Sequence, residues 1–187
     1  LRVTDEETVE IAEMVLDGKV NSEIVNLLNG RGVRAVGLSG KDAGLIQARK
    51  KLATVYDEGE AQKVDIGYVG EVEKVDTAIL EDLLDGGYTP VIAPIGVGEN
   101  GESYNINADY VAAEIAGALQ AEKLLLLTNI PGVLDKQGQL LPELTSAQID
   151  ALIDDGTISG GMLPKLAGAI DAAKAGIVDN DWVEAFN

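Results

Sequence analysis

The first thirty residues carry apolar positions at a helical period. Val9, Ile11, Ala12, Val15 and Leu16 follow this spacing, and Thr4-Asp5-Glu6-Glu7 ahead of them reads as a capping box with Thr4 as N-cap. Gly18 is expected to end that helix, and a second should run from about Asn21 to Asn29 and stop at Gly30. The pattern then changes. Val33 to Leu38 is a short apolar run that reads as a buried strand, Leu52 to Tyr56 and Tyr68 to Val75 read as further strands, and Asp57 to Gln62 as a polar surface turn. Asp76 should cap a helix ending at Gly86-Gly87, and Tyr88 to Ile95 is a buried strand with prolines towards its ends.

The second half repeats the alternation. Val97 to Tyr104 reads as a hairpin or loop, Asn107 caps a helix over Ala108 to Leu119, and Lys123 to Thr128 is expected to be a central strand. Thr145 caps a helix over Ser146 to Asp155, and Gly160-Gly161 opens onto a last helix, Leu163 to Ala175. Strand and helix in alternation predict an α/β protein with a doubly wound, mainly parallel sheet. No internal repeat, low-complexity tract or linker interrupts it, so residues 1–187 read as a single domain.

Composition narrows the chemistry. Hydrophobic residues make up 46% and aromatics 4%, a palette of Val, Ile, Leu and Ala that suits layered α/β packing. There is no cysteine and no histidine, which excludes disulfides, Cys/His zinc sites and Ser-His or Cys-His catalysis within the chain. The lack of cysteine is compatible with a cytoplasmic protein. A net charge of −18 argues against nucleic-acid binding and against an anionic membrane surface. The apolar run Leu124 to Leu127 is far too short to span a bilayer. Any site for an anion in so acidic a chain needs its cations and helix N-termini gathered locally.

Four segments are candidates for such a site. Gly96-Val97-Gly98-Glu99-Asn100-Gly101 matches a dinucleotide fingerprint in form, but no helix start follows it, so it reads as a glycine-bearing turn. Tyr104-Asn105-Ile106-Asn107-Ala108-Asp109 leads into a helix N-terminus; Asn105 can donate to a carboxylate, and the plain alternative is capping by Asn107 with Asp109 favouring the dipole. Leu124 to Asp135 is a strand ending in a polar pair and a Pro-Gly turn, where open α/β sheets place ligands, or else an ordinary turn. In Ile158 to Lys165 two glycines allow a close backbone approach, and Lys165 sits near a helix N-terminus where a cation opposes the dipole. A nearby anion would account for that lysine; a solvated surface charge is the bland reading.

Taken in order, these segments resemble the N-acetylglutamate kinases of the amino-acid-kinase family. The match begins at Leu1-Arg2-Val3-Thr4-Asp5 and runs through Gly37 to Asp42, Asp65 to Val72, Pro90 to Gly96, Tyr104 to Asp109, Leu126 to Val133 and Gly160 to Lys165. The resemblance implies a three-layer αβα sandwich and transfer of the γ-phosphoryl of ATP, with Mg²⁺, to the side-chain carboxylate of N-acetyl-L-glutamate, on the route to arginine. By it, Arg2 and Asn105 would hold the substrate's α-carboxylate, Asp109 would organise the catalytic lysines, and Lys165 would stabilise the transferring phosphoryl. Thr128, Asn129, Gly132, Asp135, Gly160, Gly161 and Met162 would line the nucleotide side. It also implies a homodimer or larger homo-oligomer paired through the helix after Arg2-Val3-Thr4.

The family opens with a glycine-rich loop bearing a second phosphate-binding lysine, which does not occur here, and Asn180 to Asn187 does not align with its end. The chain is therefore expected to be truncated at both ends relative to the family, and a weak or inactive kinase by itself. Two alternatives follow: a kinase for another amino acid, or a catalytically dead binding or assembly module of the same fold.

Overall fold

A computed structural model describes residues 3–57, 60–127, 132–160, 162–163, 165–167, 170 and 182–184. Its contacts divide the chain into two compact units, Leu1–Ala108 and Asp109–Asn187.

The first unit begins with one long helical run. Helix α1 (Glu6–Glu13) passes into a π-helical stretch (Met14–Asn21) and then into α2 (Ser22–Asn29). The N-cap is Asp5, whose carboxylate accepts from the Thr8 backbone N–H at 2.8 Å, one residue later than the capping-box pattern suggests. Thr4 is unavailable as a cap because its backbone is in a parallel bridge to Gly67: its N–H donates to Ile66 and its carbonyl accepts from Tyr68. Gly67 has φ +79°, and a Cβ there would lie 2.0 Å from the Thr4 carbonyl oxygen, so only glycine allows this approach. Gly18 does not end the helix. It keeps negative φ, so no left-handed C-cap forms, and the wider π turn carries the chain on to Asn21.

Asn21 is 5% exposed and explains what the run is fixed to. Its side-chain amide donates to the carbonyls of Val91 (2.8 Å) and Leu38 (3.3 Å). Those carbonyls belong to β1 (Ala35–Ser39) and β4 (Thr89–Ala93), a parallel pair in register from Ala35 opposite Thr89 to Ser39 opposite Ala93. Helix α3 (Ala78–Asp85) precedes β4, with its single fully buried side chain, Leu80, on the inner face.

The remaining strands form a small closed ring. Strands β2 (Ile46–Asp57) and β3 (Glu60–Val75) are an antiparallel pair; β2 is longer at both ends than the sequence pattern indicates, while β3 starts earlier, taking in part of the expected Asp57–Gln62 turn, and ends at Val75 as indicated. Strands β5 (Ile95–Val97) and β6 (Ser103–Asn105) are antiparallel to each other; β5 touches β2 at Gln47–Val97 and β6 touches β3 at Val69–Asn105. The Gly96–Gly101 segment ends β5 with Gly96 and Val97 and supplies the hairpin turn from Gly98, closed by Gly98 N–H donating to the Glu102 carbonyl at 2.8 Å, so a glycine-bearing turn does lie there. Parallel pairing thus exists at β1–β4 and at the two single contacts, β2–β5 and β3–β6, that close the ring, while the longest paired strands are antiparallel.

In the second unit, α4 (Ala108–Ala118) packs its small residues Ala113 and Ala116 against Ala121 and Leu124. Strand β7 (Glu143–Thr145) pairs antiparallel with β8 (Trp182–Glu184), and α5 (Ser146–Asp154) starts from a complete capping box of Thr145 and Gln148. The expected central strand over Lys123 to Thr128 is absent from 123–127, and Thr128 lies outside the described residues. A strand exists by pairing, and among the described residues none pairs there; Leu125 and Leu127 are 62% and 90% exposed.

The buried amide of Asn21 yields the first prediction. Asn21→Ala leaves two strand carbonyls without their donor and should cost about 1–3 kcal/mol. Urea unfolding checks it through the midpoint, and an unchanged midpoint would show that the clamp is not stabilising.

Candidate active site

The second unit brings two of the sequence candidates together. Asp109 occupies the first turn of α4, where a carboxylate complements the helix dipole. Lys165 lies early in the helical segment after Gly160 and donates from Nζ to Asp109 Oδ1 at 2.8 Å. Both side chains are about three-quarters buried, with 25% and 21% exposure. The anion that the placement of Lys165 called for is thus, at least in part, Asp109.

Neighbouring residues explain how Lys165 is held. Leu166 and Ile170 are buried in one cluster with Val133, Leu144, Ile149 and Ile158. The lysine-bearing helix is therefore pinned by its next residue to α5 and to the segment carrying Gly132 and Asp135. An ammonium has three donors, and the Asp109 bond uses one. Gly160 has φ +60° and nothing within 4 Å of an added Cβ, so its backbone is open as well as left-handed. Met162 is half-buried and packs on the same core cluster.

Asp135 has a structural task in the described residues. Its Oδ1 accepts from the N–H groups of Gln137 (2.9 Å) and Gln139 (2.8 Å), which shapes the tight loop between Leu134 and Leu140. This loop is tied to the end of α5 by Lys136 Nζ and Asp155 Oδ2 at 3.0 Å. Gly132 has φ 141°. Asn105 lies in the first unit, at the point of β6 that faces both Ile95 and Val69. Arg2, Thr128, Asn129 and Gly161 lie outside the described residues.

One network escaped the sequence reading. Lys41, in the turn after β1, donates to Glu13 Oε1 at 2.8 Å and to Ser103 Oγ at 3.0 Å, and Ser103 Oγ donates to Glu13 Oε2 at 2.6 Å. Burial works to raise the Glu13 pKa, but the hydrogen bonds from Lys41 and Ser103, with the lysine charge, bring it below its ordinary value. Asp17 nearby moves the other way, raised by burial and by the charges of Asp42 and Glu13. No local pattern announces this network, because its members are 28, 62 and 90 residues apart.

These features define a mixed α/β protein with parallel sheet elements and a half-buried lysine–aspartate pair where two helices begin. The chain belongs to the amino acid kinase family, whose signature it matches over residues 1–178. It is 59% identical over 179 residues to the acetylglutamate kinase of Alkalilimnicola ehrlichii, covering 95% of this chain and 59% of that protein. It is 58% identical over 177 residues to the acetylglutamate kinase of Azoarcus sp., again with 95% and 59% coverage. The chain thus spans about three-fifths of the length of the curated relatives it matches.

Among solved structures, smu.665 from Streptococcus mutans is 32% identical with a TM-score of 0.81, covering 95% of this chain and 69% of that one. The N-acetylglutamate synthase of Neisseria gonorrhoeae, complexed with coenzyme A and N-acetyl-glutamate, is 29% identical with a TM-score of 0.79 and 95% and 39% coverage. The fold is the amino-acid-kinase fold.

Asp155 gives a pH prediction. The Thr157 side-chain and backbone donors, joined by Lys136, lower its pKa to about 2. A lowered carboxylate stabilises the fold above its unfolded pKa, and the contribution is lost as pH falls through the folded value. Asp155→Asn should therefore lower Tm at pH 7, with the gap to wild type closing towards pH 2. A pH-independent gap in scanning calorimetry would contradict the linkage.

Proposed function

We propose that the protein phosphorylates the side-chain carboxylate of N-acetyl-L-glutamate with ATP, forming an acyl phosphate on the route to arginine. The observation that carries the reading is the Asp109–Lys165 pair at 2.8 Å, in a chain 58–59% identical to proteins named acetylglutamate kinase. Phosphoryl transfer needs positioning and positive charge more than covalent catalysis. A carboxylate acceptor is already ionised at neutral pH, so the transfer requires no general base. That suits a chain with no histidine.

In this reading Lys165 stabilises the charge on the transferring phosphoryl, and Asp109 holds its ammonium in place. Arg2 and Asn105 clamp the α-carboxylate of the substrate. The backbone around Gly132, Gly160 and Gly161 receives the nucleotide, with Thr128, Asn129, Asp135 and Met162 along its edge. Mg²⁺ arrives with the phosphates, as is usual for this ion; among the described residues no three acidic side chains are gathered to hold one.

We further propose one catalytic domain over residues 1–187, working in the cytoplasm as a homodimer or larger assembly. Among the described residues no helix is long and apolar enough to cross a membrane. The helical run after Thr4 offers a face for a second copy: Ile11, Met14, Val15, Ile24 and Leu27 are all between 42% and 63% exposed.

The reading expects ADP release that requires both ATP and N-acetyl-L-glutamate, followed in a coupled assay. Lys165→Met should lower kcat by about 100-fold while the chain stays folded, as loss of one charge-stabilising donor does. Release independent of N-acetyl-L-glutamate, or insensitive to that substitution, would overturn it. ATP binding by calorimetry without any turnover would favour the assembly-module alternative.

A further inference from the structure

We propose that Lys41 is a positioning residue, whose ammonium locks Glu13 and Ser103 into a closed three-way contact that sets strand β6 and, through it, the aim of Asn105. The proposal rests on the function proposed above, for which Asn105 is a substrate clamp.

The geometry starts with β6 itself. Side chains two apart on a strand share a face, so Ser103 and Asn105 point to the same side and Tyr104 to the other. Tyr104 is buried, with Gly70 beneath it: a Cβ on Gly70 would lie 2.6 Å from the Tyr104 Cβ. The strand is three residues long; it pairs along its length with the equally short β5 and meets the long strand β3 at a single register position, Val69 opposite Asn105. The β5–β6 hairpin thus has only one register position with β2 and one with β3 to fix it to the long strands. The Ser103 hydroxyl supplies a tie, accepting from Lys41 and donating to Glu13.

The turn that carries Lys41 is built to aim it. Asp42 Oδ2 accepts from the Ser39 N–H at 2.7 Å, and Ser39 Oγ accepts from the Lys41 N–H at 3.2 Å. Gly40 presses on β5, where a Cβ would lie 2.4 Å from the Ile95 carbonyl oxygen. Ala43, which follows Asp42, adopts φ 52°, ψ 19°, a left-handed conformation that alanine seldom takes. Such strain persists where surrounding contacts over-determine the backbone.

Glu13 completes the tie from the helical layer. Helix α1 is bound to the ring at its start by the Thr4–Gly67 bridge and at its end by Glu13. The three groups satisfy one another at 34% and 28% side-chain exposure for the lysine and glutamate, so solvent competes only partly. A surface ion pair would have no such consequence.

The test compares wild type, Lys41→Met and Lys41→Arg as whole chains, first without substrate. Lys41→Met should shift the side-chain amide resonances of Asn105 and speed amide exchange at Ser103–Asn105, leaving α3 exchange unchanged. Lys41→Arg should restore most of both. With substrate, Lys41→Met should raise KM for N-acetyl-L-glutamate about tenfold, with kcat and KM for ATP within about twofold, as expected for a displaced clamp.

If wild type neither binds nor turns over N-acetyl-L-glutamate, the proposed function fails, and the positioning claim is judged on the resonances and exchange. Asn105 resonances that coincide in wild type and Lys41→Met would overturn it. So would exchange that rises equally in α3 and β6, which would mean general loosening.

Discussion

A helix can lie against a parallel strand pair at any of several distances, and in the first unit one side chain settles which. The Asn21 amide reaches carbonyls on both β1 and β4, so the helical run is fixed to the pair by directional bonds as well as by apolar burial. Gly37 makes room for it, since a Cβ there would lie 2.2 Å from Asn21 Oδ1. The π-helical stretch before Asn21 is part of the same arrangement, because its wider turn changes which residues face the strands. Glu13, one residue before that stretch, and Thr4 at the far end take their positions from the same run, so its contacts with the ring follow from the clamp.

The acidic composition shapes how cations are used. With a net charge of −18, long-range attraction for an anionic substrate is unfavourable, and local geometry must compensate. The structure pairs particular lysines with single carboxylates in half-buried places, Lys165 with Asp109 and Lys41 with Glu13. Such pairs are screened less than exposed ones and hold their partners in one orientation. Asp109 serves two ends, completing the dipole of α4 and steadying an ammonium that would otherwise oppose a helix start.

The chemistry proposed for the protein asks little of any single side chain beyond placement. That is consistent with where the rigidity lies. Lys165 is anchored by Leu166 and Ile170 in the core of the second unit, and Asn105 sits where the ring of mixed strand pairings closes. Each stands on an element whose neighbours are buried, not on a free loop tip.

Much of this was legible in the sequence where the cause is local. The helix starts at Thr145 and Ala108, the stop at Gly30, the glycine-bearing turn at Gly96–Gly101 and the strands around Val36, Tyr68 and Ile92 follow from caps, turns and periods that neighbouring residues set. The candidate site was legible as a set of segments, and Lys165 was marked by its cost at a helix start.

Whatever depends on a distant partner was not legible. Gly18 reads as a stop, but only a left-handed turn makes it one, and the clamp at Asn21 holds the chain in a helix instead. Thr4 reads as a cap, but the bridge to Gly67 takes its backbone and passes the role to Asp5. Leu124 to Leu127 reads as a strand, because apolarity is local while pairing is not. The sequence by itself thus determined the elements and the residue types able to bind an anion. Tertiary structure decided that Lys165 meets Asp109 and that Lys41 meets Glu13 and Ser103, because a hydrogen bond across dozens of residues exists only once the fold has brought its ends within 3 Å.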